Sequence, residues 1–164
     1  MRKSIIAAAI AALCLMPDAA HAQIAGRIII NQLSGKCLDV PGISNMTPGT
    51  PLQLYDCEFR GLEIGGKRSD QFWIFGPQGN IRNALAGYCI DITGTHNGAL
   101  LQIQPCNGAN PAQIWIFRPD GFVVNQVTGK CIDVAGSPGV NSETPLLLSD
   151  CEFGNPQTDQ RWRY

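Results

Sequence analysis

One pattern occurs three times along this chain: Cys, any residue, Asp and an aliphatic residue, then turn residues, a second Cys and finally Gln-x-Trp. The three copies begin at Cys37, Cys89 and Cys131 and end at Trp73, Trp115 and Trp162. A repeat of roughly 40–50 residues indicates one supersecondary unit that is used three times. Positions that are alike in all copies are therefore expected to serve the scaffold, and function is expected where the copies differ.

The first 22 residues have the three parts of a secretory signal peptide. Arg2 and Lys3 are basic, the stretch from Ile5 to Met16 is apolar, and Ala20-His21-Ala22 is a small-x-small cleavage sequence. An apolar stretch of about a dozen residues is too short to span a bilayer, so no membrane insertion is expected. We expect cleavage after Ala22 and a secreted or periplasmic mature domain that comprises residues 23–164.

The mature domain has a nearly balanced charge. Without Arg2, Lys3 and Asp18 of the leader, the 12 basic and 13 acidic side chains of the chain become 10 and 12, which gives a net charge of −2. There is no basic patch in the sequence, so no nucleic-acid partner is expected.

Six of the seven cysteines belong to the mature domain, and they predict disulfides. An even number in an exported chain points to disulfides rather than to metal, and the closely spaced Cys/His clusters of a zinc site are missing. Six cysteines allow 15 pairings, of which the repeat favours one. That pairing closes three loops of about 20 residues, each contributing about 3 kcal/mol: Cys37–Cys57, Cys89–Cys106 and Cys131–Cys151.

The mature sequence predicts an all-β fold. Short β-prone runs alternate with clusters of Gly, Pro, Asn and Ser, a pattern typical of a sandwich or barrel, and threefold repetition favours a closed barrel without exposed sheet edges. The three Trp are expected to form a shared core layer, and the Gln beside each is expected to bind backbone groups near a strand end. The expected strands include Arg27–Asn31, Gln53–Tyr55, Phe72–Phe75, Leu101–Ile103, Ile114–Phe117 and Phe122–Asn125.

These motifs resemble those of the ricin B-type lectin family, whose modules are β-trefoils with a Gln-x-Trp in each of three repeats. The resemblance covers nearly the whole mature chain and implies repeats at about 26–76, 77–118 and 119–164. It also implies a shallow sugar pocket that each repeat can carry. The parts of that pocket are the Asp of Cys-x-Asp, a Gln four residues before the second Cys, an aromatic residue two before it, the residue preceding the Gln of Gln-x-Trp, and that Gln.

The first repeat carries all of these parts, as Asp39, Gln53, Tyr55, Asp70 and Gln71. A carboxylate such as Asp39 can accept hydrogen bonds from two sugar hydroxyls, although an Asp at this place can also serve a tight turn. The Tyr55 ring can pack on the apolar face of a pyranose. Asp70 stands where the family usually has Asn. The consequence is that an ionised carboxylate can accept a hydrogen bond from a sugar hydroxyl but cannot donate one. Gln71 is expected mainly to hold Asp39 in its rotamer.

The other two repeats match less well. The second keeps Asp91, Gln102 and Gln113 but has Gln104 at the aromatic position, so it is expected to be a weaker site. The third keeps Asp133, but Leu147 and Ser149 stand where the first repeat has Gln and Tyr. Sugar binding is not expected there unless Phe153 substitutes for the missing ring.

The sequence therefore predicts a secreted carbohydrate-binding lectin whose partners are glycans or glycoconjugates. It does not predict an enzyme, a cofactor or a metal: no thiol stays free, and Asp39 with Asp70 is the one carboxylate pair worth testing as a glycosidase dyad. Two alternatives remain open. One is a non-catalytic receptor-binding subunit of a secreted toxin complex, which would need a separate protein partner. The other is a protease inhibitor of the Kunitz β-trefoil type, whose family lacks the repeated Gln-x-Trp.

Overall fold

The structure is a computed structural model that describes residues 26–42, 46–59, 63–64 and 67–164. The predicted signal peptide, residues 1–22, lies outside the described residues. No helix within the described part is long and apolar enough to cross a membrane. The chain forms one turn of 3-10 helix (Pro111–Gln113) and the following strands: β1 (Arg27–Ile28), β2 (Ile30–Asn31), β3 (Cys37–Asp39), β4 (Gln53–Tyr55), β5 (Glu63–Ile64), β6 (Lys67–Arg68), β7 (Phe72–Phe75), β8 (Ile81–Asn83), β9 (Cys89–Ile92), β10 (Leu101–Gln104), β11 (Trp115–Phe117), β12 (Val123–Asn125), β13 (Cys131–Val134), β14 (Thr144–Ser149) and β15 (Trp162–Arg163).

The strands are linked into a ring of three repeats, which confirms the predicted all-β fold. Two sheets contain most of them, in the orders β1-β7-β8-β9-β10 and β11-β12-β13-β14-β4-β3-β2-β15, and β5 pairs with β6. Strand β14 of the third repeat pairs with β4 of the first. Single antiparallel bridges join the first repeat to the second, at Pro51–Gln102, and the second to the third, at Leu100–Leu147.

The three Trp of Gln-x-Trp occupy equivalent places in the buried core, as the sequence predicts. All three are at most 4% exposed and belong to one hydrophobic cluster with the Ile, Leu and Val residues of the inner strand faces. A buried indole N–H needs an acceptor, and each finds it in the residue between the Cys and Asp of its own repeat. The donor–acceptor pairs, at 3.0, 3.1 and 3.2 Å, are Trp73–Leu38, Trp115–Ile90 and Trp162–Ile132.

The Gln of each Gln-x-Trp clamps the segment around the second Cys of its repeat. In the first repeat, the side-chain oxygen of Gln71 accepts from the backbone N–H of Glu58 at 2.9 Å, and its Nε2 donates to the carbonyl of Asp56 at 2.9 Å. The other two repeats make the same pair of bonds on either side of their second Cys. The amide thus satisfies backbone groups near a strand end, as predicted.

One disulfide lies within each repeat, in the predicted pairing. Each joins the first residue of a strand to the second Cys of the same repeat, over sequence separations of 20, 17 and 20 residues: Cys37–Cys57, Cys89–Cys106 and Cys131–Cys151. Because a disulfide closes the same kind of loop in each repeat, it stabilises all three units by restricting the unfolded chain.

A buried Asn in each repeat joins it to its neighbour. The three residues are fully buried, and each Nδ2 donates to the carbonyl of the residue that precedes Gln-x-Trp in another repeat. The pairs form a closed cycle: Asn31 to Asp159, Asn83 to Asp70, and Asn125 to Ala112. Sequence reasoning missed this contact, although its signal is present as the repeated spacing Asn-x-x-x-Gly-x-Cys.

Candidate functional site

Strands β3 and β4 bring the first three predicted site residues of the first repeat together. The two strands pair antiparallel with Asp39 opposite Gln53 and Cys37 opposite Tyr55. Residues two apart on a strand share a face, so Gln53 and Tyr55 lie side by side above the strand that carries Asp39. Gln53 Nε2 donates to Asp39 Oδ2 at 2.7 Å. The protein itself therefore orients this carboxylate.

An open cavity of about 650 Å³ lies over this strand pair. Four of the five residues predicted for the first repeat line it, namely Asp39, Gln53, Tyr55 and Asp70. The remaining lining residues are Pro41, Gly42, Glu58 and Glu143. One aromatic ring thus stands among several hydrogen-bonding groups, an arrangement that suits a polyhydroxylated ligand with an apolar face.

Gln71 is the one predicted residue that is not among the lining residues. It is fully buried and makes the clamp around Cys57 described above. Its side chain also hydrogen-bonds Asp39, where it favours the ionised form. Gln71 is therefore a buried neighbour of Asp39 and not a wall of the cavity, and its predicted role in holding that carboxylate stays a prediction.

Burial makes both aspartates of the cavity reluctant to ionise. The pKa of Asp39 is raised by desolvation, against which the bonds from Gln53 and Gln71 act, and the negative charge of Glu58 raises it further. Desolvation together with the charges of Asp39 and Glu58 raises the pKa of Asp70 from 3.8 to about 7. Near neutral pH, Asp70 is therefore present in part as a neutral acid, which can donate a hydrogen bond as the family's usual Asn does.

Two carboxylates of the cavity were missed by the sequence analysis. Glu58 directly follows Cys57, a place that the family pattern does not single out. Glu143 belongs to the third repeat and reaches the first because β14 pairs with β4, with its backbone N–H donating to the carbonyl of Leu54 at 2.8 Å. It has a φ of 64° and is, among the described residues, the one non-glycine with positive φ. Such a conformation is uncommon outside glycine and is enriched at functional sites.

In the second repeat, both oxygens of the Asp91 carboxylate accept hydrogen bonds from the protein itself. Asp91 Oδ1 accepts from the backbone N–H of Ile92 at 2.7 Å, and Oδ2 accepts from Gln113 at 2.8 Å. Gln102 lies opposite Asp91 in the strand register, as Gln53 lies opposite Asp39. Gln102 and Gln104 are half-buried neighbours on β10. The four predicted residues thus lie together, but with no aromatic ring at the position of Gln104.

The third repeat encloses a smaller cavity of about 170 Å³ whose acidic groups bond to one another. Asp133 accepts from the backbone N–H of Val134 at 2.8 Å. Desolvation raises its pKa, and so do the hydrogen bond with Asp159 and the charge of that residue. Asp159 also accepts from the backbone N–H of Gly139. The nearest acidic neighbour of Asp133 is thus Asp159, a member of the same repeat.

Phe153 does not replace the missing ring of the third repeat. It packs edge-on against Phe122 at 4.9 Å between centroids, and the guanidinium of Arg118 lies 4.8 Å from its ring centre. It is absent from the residues that line the cavity beside Asp133. Leu147, directly opposite Asp133, supplies no amide. The prediction that this repeat does not bind sugar stays a prediction.

The chain belongs to the ricin-type β-trefoil lectin family. The family model described as "Ricin-type beta-trefoil lectin domain" matches residues 25–162, a span that contains all three repeats. The match confirms the resemblance and the β-trefoil fold inferred from the motifs. A search of curated proteins found no match. Among the described residues, no group of three or more His, Cys, Asp or Glu is arranged to hold a metal ion.

Solved structures with the same fold include plant and animal lectins. An agglutinin from Abrus precatorius is 22% identical, with a TM-score of 0.69, over 87% of this chain and 49% of the agglutinin chain. The C-terminal half of an earthworm R-type lectin, in complex with GalNAc, is 23% identical, with a TM-score of 0.65, over 83% and 94% of the two chains. This chain thus spans about half the length of the agglutinin chain.

The fold also occurs within an enzyme. An exo-β-1,3-galactanase from Clostridium thermocellum is 21% identical to this chain, with a TM-score of 0.66, over 87% of this chain and 30% of the galactanase chain. At this level of identity the likeness extends to the fold alone, so the function of this chain must be argued from its own residues.

Proposed function

We propose that this chain is an exported lectin that binds a sugar non-covalently in the cavity of its first repeat. The observation that carries the proposal is the convergence of Asp39, Gln53, Tyr55 and Asp70 on one open cavity, in a chain of the ricin-type lectin family. The ring of Tyr55 offers a stacking surface. The carboxylates and the Gln53 amide offer acceptors and donors for the hydroxyls around a pyranose.

The second repeat is the weaker site in this proposal. Gln102 and Gln104 can hydrogen-bond a sugar, but Asp91 is already bonded through both oxygens. A single shallow pocket that engages few side chains binds a monosaccharide weakly, because ordering costs offset much of the contact energy. Functional avidity would then come from multivalent glycans.

The proposal assigns binding without hydrolysis. Glycoside hydrolysis needs one protonated and one ionised carboxyl on opposite sides of the bond. Asp39 and Asp70 both lie in this cavity with pKa values raised by burial, and the proposal assigns both to hydrogen bonds with sugar hydroxyls. We also propose that residues 1–22 direct the export of the protein. The residues that support sugar binding do not favour a toxin subunit or a protease inhibitor.

The position of Tyr55 provides a test with an internal control. Its equivalents by strand register are Gln104 and Ser149, which lie opposite Cys89 and Cys131 as Tyr55 lies opposite Cys37. A glycan array on the oxidised protein would identify the sugar, and titration calorimetry with that sugar would measure its affinity. We expect Tyr55→Ala to weaken binding at least roughly fivefold, through the lost ring contact, and Ser149→Ala to leave it unchanged. Equal affinities of both variants and the parent would refute the assignment.

A further inference from the structure

The first-repeat cavity is lined by four carboxylates from four segments of the chain. Asp39 lies on β3, Glu58 follows Cys57, Asp70 precedes β7, and Glu143 precedes β14. No Lys, Arg or His is among the described residues that line the cavity. The salt bridges found among the described residues involve none of these four carboxylates. Negative charge is therefore concentrated where the proposed ligand would bind.

Asp70 is a buried carboxyl of this group with few hydrogen-bond partners. It is 4% exposed and lines the cavity. Its hydrogen-bond partners among the described residues are the Ser69 hydroxyl, at 3.3 Å, and its own backbone N–H. Among the described residues, no other side chain is a hydrogen-bond or ion-pair partner of this carboxyl. A buried carboxylate without a strong partner costs free energy, and a cation bound beside it recovers that cost.

The third repeat has aspartates at the positions of Asp39 and Asp70, but their hydrogen bonds differ. Asp133 and Asp159 hydrogen-bond each other, and Asp159 also receives a backbone N–H. In the first repeat, Asp39 and Asp70 interact through their charges alone, and Gln53 takes the position that Leu147 holds in the third. Among the described residues, two neighbouring aspartates without a hydrogen bond to each other are thus a particular property of the first cavity and not a general consequence of the repeat.

We propose that the first-repeat cavity selects sugars that carry a protonated amine, the 2-amino-2-deoxyhexoses with a free amino group, over their N-acetylated and acidic counterparts. This inference rests on the proposed function, since it names the ligand class of the same site. An ammonium group offers three donors and no acceptor, which matches a ring of carboxylates. It also interacts favourably with the face of an aromatic ring such as Tyr55. A uronate or sialate would place like charges together.

A matched pair of soluble ligands tests the charge preference. The β-1,4-linked glucosamine disaccharide and its di-N-acetylated form share one backbone and differ in amine charge. By titration calorimetry at pH 7 and low salt, we expect the amine form to bind at least about tenfold more tightly, as a charge-assisted hydrogen bond implies. We expect Asp70→Asn and Glu143→Gln each to reduce that ratio. The control is Glu152→Gln. Glu152 follows Cys151 as Glu58 follows Cys57, and its replacement changes the net charge of the protein by the same amount, so we expect this variant to leave the ratio unchanged.

The Tyr55→Ala variant separates the two proposals. If the acetylated disaccharide binds as tightly as the amine and both depend on Tyr55, the charge preference is wrong and the sugar site stands. If neither ligand depends on Tyr55, the site assignment fails and the preference fails with it. Equal loss of amine binding in Asp70→Asn and Glu152→Gln would mean that the overall charge of the protein attracts the ligand, which also overturns the inference.

Discussion

Gln53 donates a hydrogen bond to Asp39 from the directly opposite position on the neighbouring strand, with 2.7 Å between Nε2 and Oδ2. This bond fixes the carboxylate before any ligand arrives, which lowers the ordering cost of binding. The equivalent pair in the third repeat is Leu147 and Asp133, where no such bond can form. One amide side chain, that of Gln53, therefore distinguishes the candidate pocket of the first repeat from the equivalent place in the third.

Replacing that amide should convert the first repeat towards the third. Gln53→Leu removes the bond to Asp39 and any bond from the amide to the ligand, so we expect sugar affinity to fall about tenfold. Gln53 is half-buried, and we expect the free energy of unfolding to change by less than about 1 kcal/mol. Calorimetric titration and urea unfolding measure the two effects. Gln102→Leu, at the equivalent position of the weaker second site, is the comparison and should reduce the affinity less, and an equal loss from both variants would contradict the assignment.

The ionisation of Asp70 should make stability depend on pH. Its pKa is about 7 in the folded chain against an ordinary 3.8. Between these values the folded chain holds a proton that the unfolded chain has lost, so this group lowers the free energy of unfolding as pH rises from about 4 to 7. We expect Asp70→Asn to become more stable relative to the parent across that window, measured as urea midpoints from pH 4 to 8.

An exposed aspartate provides the control for this titration. Asp120 bonds Arg118, which lowers its pKa, so its contribution is lost only as pH falls below about 4. Asp120→Asn should therefore show a constant difference from the parent between pH 4 and 8. A constant difference for Asp70→Asn as well would mean that Asp70 ionises normally in the folded chain.

Each disulfide should contribute a similar amount to stability. The loops have nearly the same length, 20, 17 and 20 residues, and loop entropy varies slowly with length. We expect the double replacement Cys89→Ala with Cys106→Ala to lower the free energy of unfolding by about 3 kcal/mol, measured by urea unfolding. The same experiment on Cys37 and Cys57 is the comparison. Costs that differ by several kcal/mol would mean that loop closure is not the main effect.

The scaffold could be predicted because its contacts lie within one repeat at fixed spacing. Each Trp binds a carbonyl beside its own Cys-x-Asp, and each Gln clamps the second Cys of its own repeat, so three copies of one motif carry the information. The Asn that joins neighbouring repeats was missed, as was Glu143. Their partners are far away in the sequence, and the closure of the ring brings them together.

The hydrogen-bond partners of the recurring Asp could be read only from the three-dimensional structure. For Asp39 the sequence left both turn chemistry and ligand binding open. Asp91 and Asp133 do accept the backbone N–H of the next residue, which is local turn chemistry. The hydrogen bonds described for Asp39 come from the side chains of Gln53 and Gln71. The raised pKa of Asp70 likewise could not be predicted from the sequence, because it depends on burial and on the charges of Asp39 and Glu58.

The buried Asn cycle links the scaffold to the proposed site at one point. Asn83 donates to the carbonyl of Asp70 and accepts from the backbone N–H of Ala86 at 2.8 Å. Asn125 makes the equivalent bonds, but its carbonyl partner is Ala112 of the second repeat.

We expect Asn83→Ala and Asn125→Ala to lower the free energy of unfolding by similar amounts, about 2–3 kcal/mol each, because both leave buried backbone groups unpaired. Sugar affinity, measured well below the unfolding temperature, should fall severalfold for Asn83→Ala alone, since that variant releases the backbone that holds the Asp70 carboxyl in the cavity. Equal affinity losses in the two variants would show instead that general loosening of the fold weakens binding.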